Sequence, residues 1–122
     1  MVATRGTVLI VDDDDGIRMG VAWALEYAGY DVLEAEHGQA ALDQIAVNRP
    51  DLILLDLRMP GMDGVEFVRR YRELPGPHAP IVLITAAHEV QDRIDQIQVQ
   101  GYLAKPFGVD AVLAVVRRYL PV

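Results

Sequence analysis

Asp12, Asp13, Asp14 and Asp15 stand in an unbroken row, and Asp56, Thr85 and Lys105 each follow directly on a short apolar run. Carboxylates gathered from separate segments repel and raise one another's pKa, so such a cluster calls for a cation. With oxygen ligands, no cysteine and no shared spacing among His37, His78 and His88, that cation is expected to be Mg²⁺. A Mg²⁺ held by one or two carboxylates keeps positions open for phosphate oxygens. An adjacent Asp could then attack a phosphoryl group, with Lys105 as a second positive point and Thr85 as a hydroxyl donor.

Each residue also has a plainer reading. A row of aspartates before an amphipathic segment is usually a solvated helix N-cap, and Asp14 and Asp15 are assigned that role. Asp56 could be a turn former, Thr85 an N-cap and Lys105 an exposed charge. Their joint arrival at the ends of apolar runs is what favours chemistry.

The elements that must position these groups follow from hydrophobic spacing. Val8 to Val11, Val32 to Ala35, Leu52 to Leu55 and Ile81 to Ile84 read as buried parallel strands, and Tyr102 to Ala104 as a fifth. Between them Ile17, Val21, Leu25 and Ala28 predict a helix stopped by Gly29. A second runs from Gln39 to Val47, packing Leu42, Ile45 and Ala46 and ending before Pro50. A third starts near Gly64 and buries Val68, Tyr71 and Leu74. A short fourth holds Val90, Ile94 and Ile97, and a last one Val109, Val112, Leu113, Val116 and Leu120. This alternation predicts a three-layer, doubly wound α/β sandwich with a five-stranded parallel sheet, its working crevice at the carboxyl ends of the strands.

The 122 residues suit one domain, 1–122, with 52% hydrophobic and 24% charged residues as in ordinary globular chains. A net charge of −7 argues against direct nucleic-acid binding. Absence of cysteine, of a long apolar run and of a leader at Met1 to Gly6 makes a cytoplasmic protein without a membrane segment the expectation.

The blocks VLIVDDDD, LILLDLRMPGMDG, IVLITA and YLAKPF resemble, in order, the signature blocks of bacterial two-component response-regulator receiver domains, over essentially the whole chain. The resemblance implies a flavodoxin-like strand order 2-1-3-4-5 and a phosphoacceptor role for Asp56. It implies Mg²⁺ ligation by Asp13, Asp56 and the backbone carbonyl of Arg58, with Asp12 acting largely through water. Thr85 is expected to follow the phosphate, Lys105 to bind it from a cis Lys105-Pro106 peptide, and Tyr102 to move inward or outward as a switch. For Tyr102 a plain half-buried strand aromatic is an equal reading. Asp63 is expected to cap the third helix.

A sensor histidine kinase or histidine phosphotransfer protein is the implied phosphoryl donor, with an unidentified output partner and a homodimer on activation among the expected assemblies. The protein would be a switch that catalyses its own phosphorylation and dephosphorylation, with Arg58 and Ala87 tuning water access. The chain departs from the family in having only twenty positions from Thr85 to Lys105, and Gln98-Val99 where Gly-Ala is usual. A short or shifted fourth helix is therefore expected, altering the output face.

Other classes fit less well. A haloacid-dehalogenase-type phosphatase would carry a second Asp where Arg58 stands and its nucleophile after the first strand. A flavodoxin-like cofactor carrier needs Gly, Ser or Thr donors after that strand, where four aspartates would repel phosphate. A receiver that never turns over phosphate is opposed by the complete set Asp13, Asp56, Thr85 and Lys105. The dispersed histidines, read as surface residues, argue against histidine phosphotransfer.

Overall fold

In a computed structural model, which describes residues 5–86, 88 and 97–121, the chain builds a five-stranded parallel sheet. Its elements are β1 (Thr7–Val11), α1 (Asp15–Tyr27), β2 (Asp31–Ala35), α2 (Gly38–Val47), β3 (Leu52–Leu55), α3 (Gly64–Glu73), β4 (Ile81–Ala86), β5 (Gly101–Lys105) and a C-terminal helix α4 (Val109–Tyr119). The order is β2-β1-β3-β4-β5, as the resemblance implied.

The central strands are apolar on both faces because both are covered. Leu9, Val11, Ile53, Leu55, Ile81 and Leu83 pack with Phe67, Val68 and Tyr71 of α3 and Ala41 and Ile45 of α2. Val8, Ile10, Leu52, Leu54, Val82 and Ile84 pack with Val21, Ala22 and Leu25 of α1 and Val112 and Val116 of α4. The two-residue period of a strand thus divides one continuous apolar run between two cores.

Helix ends follow local chemistry. Asp14 caps α1, its Oδ1 accepting from Ile17 N at 3.0 Å, and Asp15 opens the helix as the bland reading of these two aspartates required. Gly29, at φ +100°, adopts the left-handed conformation that ends α1 cheaply only for glycine. Asp63 caps α3 by accepting from Glu66 N at 2.9 Å, a bond worth about 1 kcal/mol at such sites. Hydrogen bonds from Arg69, then Arg70, pull Glu66 down to about 2, an exposed arrangement.

Several packing expectations are corrected. Ala46 is exposed and Ala41 takes its place in the core, because the buried stripe of α2 lies one residue round the helix. Leu74 is the exposed C-cap of α3, and Val109 at the start of α4 is also exposed, since both sit where their helices leave the sheet. His37, read as a plain surface residue, caps α2 with Nδ1 accepting from Ala40 N at 3.0 Å. The fourth helix expected through Val90 and Ile94 lies outside the described residues; Ile97 of that set is described and buried.

Candidate functional site

Strand register assembles the site. Val11 pairs with Leu55, so Asp12 and Asp56 leave neighbouring strands at the same level, with Asp56 N donating to Val11 O at 2.9 Å. Thr85 pairs with Ala104 and Ala86 with Lys105, which brings the hydroxyl and the lysine to the same rim. The Lys105-Pro106 peptide is cis, as is Gly76-Pro77.

Lys105 Nζ lies 3.1 Å from Asp56 Oδ2 and 2.9 Å from Asp12 Oδ2. The first contact is a hydrogen bond; the second is a close ion pair of poorer hydrogen-bond direction, so that among the described residues the buried Asp12 Oδ2 meets the ammonium without a well-directed donor. Asp12 Oδ1 accepts from Asp14 N at 2.9 Å, and Asp56 Oδ1 from Arg58 N at 3.2 Å. Carboxylate oxygens of Asp12, Asp13 and Asp56 all lie within 4.8 Å of one another, Asp13 being the exposed member. Two of these three carboxylates, Asp12 and Asp56, share the Lys105 ammonium.

The two partners of the ion pair respond differently. Burial pushes the Asp12 carboxyl up, and repulsion from Asp56 adds to this, against the opposing pull of Lys105 and the Asp14 N–H. Burial would lower Lys105, but Asp12 and Asp56 outweigh it and hold the ammonium above its ordinary value. Lys105 therefore stays charged, while Asp12 remains short of compensation.

A cavity of about 480 Å³ opens over the cluster, lined by Asp13, Asp56, Arg58, Thr85 and Lys105 among others. Thr85 is buried in its wall. Tyr102 is not brought to it: the ring is 54% exposed on β5, more than the half-buried reading expected. Ala87 lies outside the described residues.

Sequence reasoning missed Arg18. Its guanidinium donates to the backbone carbonyl of Asp12 at 2.8 Å, to Asp15 Oδ1 at 2.6 Å and to Glu34 Oε1 at 3.2 Å. The only sequence signal is its place three residues after Asp15, a common surface ion-pair spacing.

Residues 8–117 match the family model described as the response regulator receiver domain. The chain is 40% identical over 115 residues to Response regulator MprA of Mycobacterium sp. (strain KMS), covering 93% of this chain and 50% of that protein. Thus the chain spans about half the length of that mycobacterial relative. It is 38% identical over 117 residues to Sporulation initiation phosphotransferase F of Bacillus subtilis, covering 93% of each. The solved structure of Vibrio cholerae chemotaxis protein CheY4 superposes with a TM-score of 0.81 at 33% identity, over 97% of this chain and all of that one. No helix among the described residues is long and apolar enough to cross a membrane. With the acidic pocket in place at the carboxyl ends of a 2-1-3-4-5 sheet, this chain belongs to the response regulator receiver domain family of two-component systems.

Proposed function

We propose that the chain is a phosphorylation switch in which Asp56 accepts a phosphoryl group from a phosphohistidine of a sensor histidine kinase or histidine phosphotransfer protein. The observation that carries this reading is the Lys105 ammonium set between Asp56 and Asp12 at the floor of an open cavity. An Asp56 carboxylate oxygen attacks phosphorus, forming an acyl phosphate, while the bond from phosphorus to the donor breaks and its electron pair leaves with the donor imidazole. Lys105, already held as an ammonium, is placed to balance charge on the transferred oxygens. Thr85 supplies a hydroxyl from the cavity wall, and Arg58 shields the product from water.

The residues fit Mg²⁺. An Asp12 Oδ2 without a well-directed donor, the excess of carboxylate over ammonium and an all-oxygen donor set are what a small divalent cation satisfies. Asp12, Asp13 and Asp56 would hold it with the Arg58 carbonyl, and when bound it supplies neutralisation of the phosphoryl oxygens. Thr85 and Tyr102 form the proposed link to an output surface, which a second copy or another partner reads. The cytoplasm is the proposed location, and nucleic acid is not a proposed ligand.

Intact-mass measurement after incubation with acetyl phosphate tests this reading. A single added phosphoryl group is expected with Mg²⁺, and none with a chelator; labelling that ignores Mg²⁺ would defeat it.

Asp12 makes a second expectation accessible. Its folded pKa is raised, so ionising it costs stability: the contribution is favourable below the unfolded pKa and is lost as pH rises through the folded value. Metal-free Asp12→Asn should accordingly be more stable than the parent at neutral pH and lose that advantage in acid. Mg²⁺ at about a hundred times its Kd should stabilise the parent by roughly 2.7 kcal/mol and the variant far less. Urea titrations with and without Mg²⁺ at two pH values measure both; equal Mg²⁺ stabilisation of the two proteins would place the ion elsewhere.

A further inference from the structure

We infer that Arg18 is a positioning residue for the acidic loop, a fork that holds the Asp12 carbonyl beside β2 so that the Asp12 and Asp13 carboxylates stay grouped with Asp56 as a metal-binding set. This rests on the Mg²⁺ reading above and extends it to a residue outside the cavity lining.

The peptide groups of Asp12 are gripped on both sides. Its N–H donates to Ala35 O on β2 at 3.1 Å, and its carbonyl accepts from Arg18 Nη1 at 2.8 Å. Arg18 is itself fixed, since Nη2 binds Asp15 at the start of α1 and Nε binds Glu34, the residue before Ala35 on β2. One planar group thus ties together the end of β1, the first turn of α1 and the neighbouring strand. Its side chain is only 12% exposed, and although Asp15 and Glu34 are exposed, the contact to the Asp12 carbonyl is sheltered. A guanidinium can serve three acceptors lying in different directions, which a single ammonium on a flexible stem does not reproduce.

Two effects of Arg18 on a bound cation oppose each other. Its positive charge near the aspartates repels Mg²⁺, so deleting charge alone would tighten binding. Across a partly solvated loop that term is worth about fivefold in affinity or less. Loss of a group that orients metal ligands typically weakens affinity by roughly ten- to a hundredfold. Positioning outweighs charge, and the sign of the change in Mg²⁺ affinity separates the two.

Calorimetric titration of the full chain with MgCl₂, beside thermal unfolding without metal, is the test. Arg18→Ala is expected to bind Mg²⁺ about tenfold more weakly despite losing a cation, and Arg18→Lys is expected to recover little of the loss. Glu34→Ala, which removes one anchor from an edge-strand surface position, should show a smaller loss and keeps the proposal testable if Arg18→Ala does not fold. Tighter binding by Arg18→Ala, or full recovery in Arg18→Lys, would show that charge alone matters and overturn the proposal. A lowered melting temperature with unchanged Mg²⁺ affinity in all variants would reduce Arg18 to a structural brace. Failure of the parent protein to bind Mg²⁺ is a different result, which removes the metal reading itself and this inference with it.

Discussion

Asp56→Asn is expected to lose at least about a thousandfold in the rate of phosphoryl uptake from acetyl phosphate, with the fold retained and Mg²⁺ binding weakened by the loss of one proposed ligand. The expectation follows from chemistry and placement together. An amide oxygen carries no full charge, and of the two carboxylates next to Lys105 Asp56 is the one that lines the cavity, since Asp12 is fully buried; Asp13 is the exposed member of the cluster. The substitution is nearly isosteric, and Oδ1 can still accept from Arg58 N. It also relieves repulsion between Asp12 and Asp56, so the variant should be at least as stable as the parent. Loss of labelling in a variant that unfolds at or above the parental temperature would therefore report the nucleophile and not the fold. Should the variant take up an acid-stable, base-labile phosphoryl group at the parental rate, Asp56 is not the acceptor, and tryptic mapping of the modified peptide would find the carboxylate that is.

Gly64→Ala should destabilise the protein by about 3 kcal/mol, lowering the melting temperature by roughly 10 °C. A Cβ at Gly64 would stand 2.6 Å from Leu57 Cα and 2.9 Å from the Asp56 carbonyl oxygen, and both are backbone atoms that yield only if the chain moves. Gly64 N donates to Leu57 O at 2.8 Å, so the first turn of α3 is fastened to the segment that leaves β3 carrying Asp56, the proposed nucleophile. The φ of Gly64 is not positive; the requirement is for close approach alone. Gly38 provides the comparison. Its added Cβ would meet Met62 Sδ at 2.7 Å, the far end of a flexible side chain that can turn aside. Gly38→Ala should cost about 1 kcal/mol or less. Urea midpoints of the two variants, at unchanged slope, give the ordering. A Gly64→Ala protein within about 0.5 kcal/mol of the parent would mean that the β3–α3 segment relaxes freely. With the predicted clash, Asp56 is displaced as well, so phosphorylation should slow in the fraction that remains folded.

Much of this architecture is local and was therefore legible in the residues themselves. Asp14 and Asp63 are caps because a short carboxylate before a helix reaches its free N–H groups whatever the rest of the fold does. Gly29 ends α1 because left-handed backbone is cheap only for glycine. Asp12, Asp56 and Thr85 were recognisable because a continuous apolar run marks a strand covered on both faces, and the polar residue ending it must reach the rim of the sheet; Lys105 ends the shorter apolar run of the edge strand β5.

The rest depended on contacts between segments remote in sequence. Spacing could not distinguish Ala41 from Ala46 as the buried alanine of α2, because the choice depends on how the helix is rotated against Leu9 and Val11. Nor could it show that Tyr102 faces outward, since β5 is an edge strand whose two faces are both partly exposed. Sequence reasoning did not single out Arg18, because only the fold brings Glu34 of β2 and the Asp12 carbonyl after β1 within its reach. The sequence by itself determined which chemical groups this protein brings to its rim and how each helix begins. Only the tertiary structure decided that Lys105 spans two carboxylates, that Asp12 Oδ2 meets it without a well-directed hydrogen bond, and that the Arg18 guanidinium binds the Asp12 carbonyl, because those facts depend on strand register and on distances no local pattern encodes.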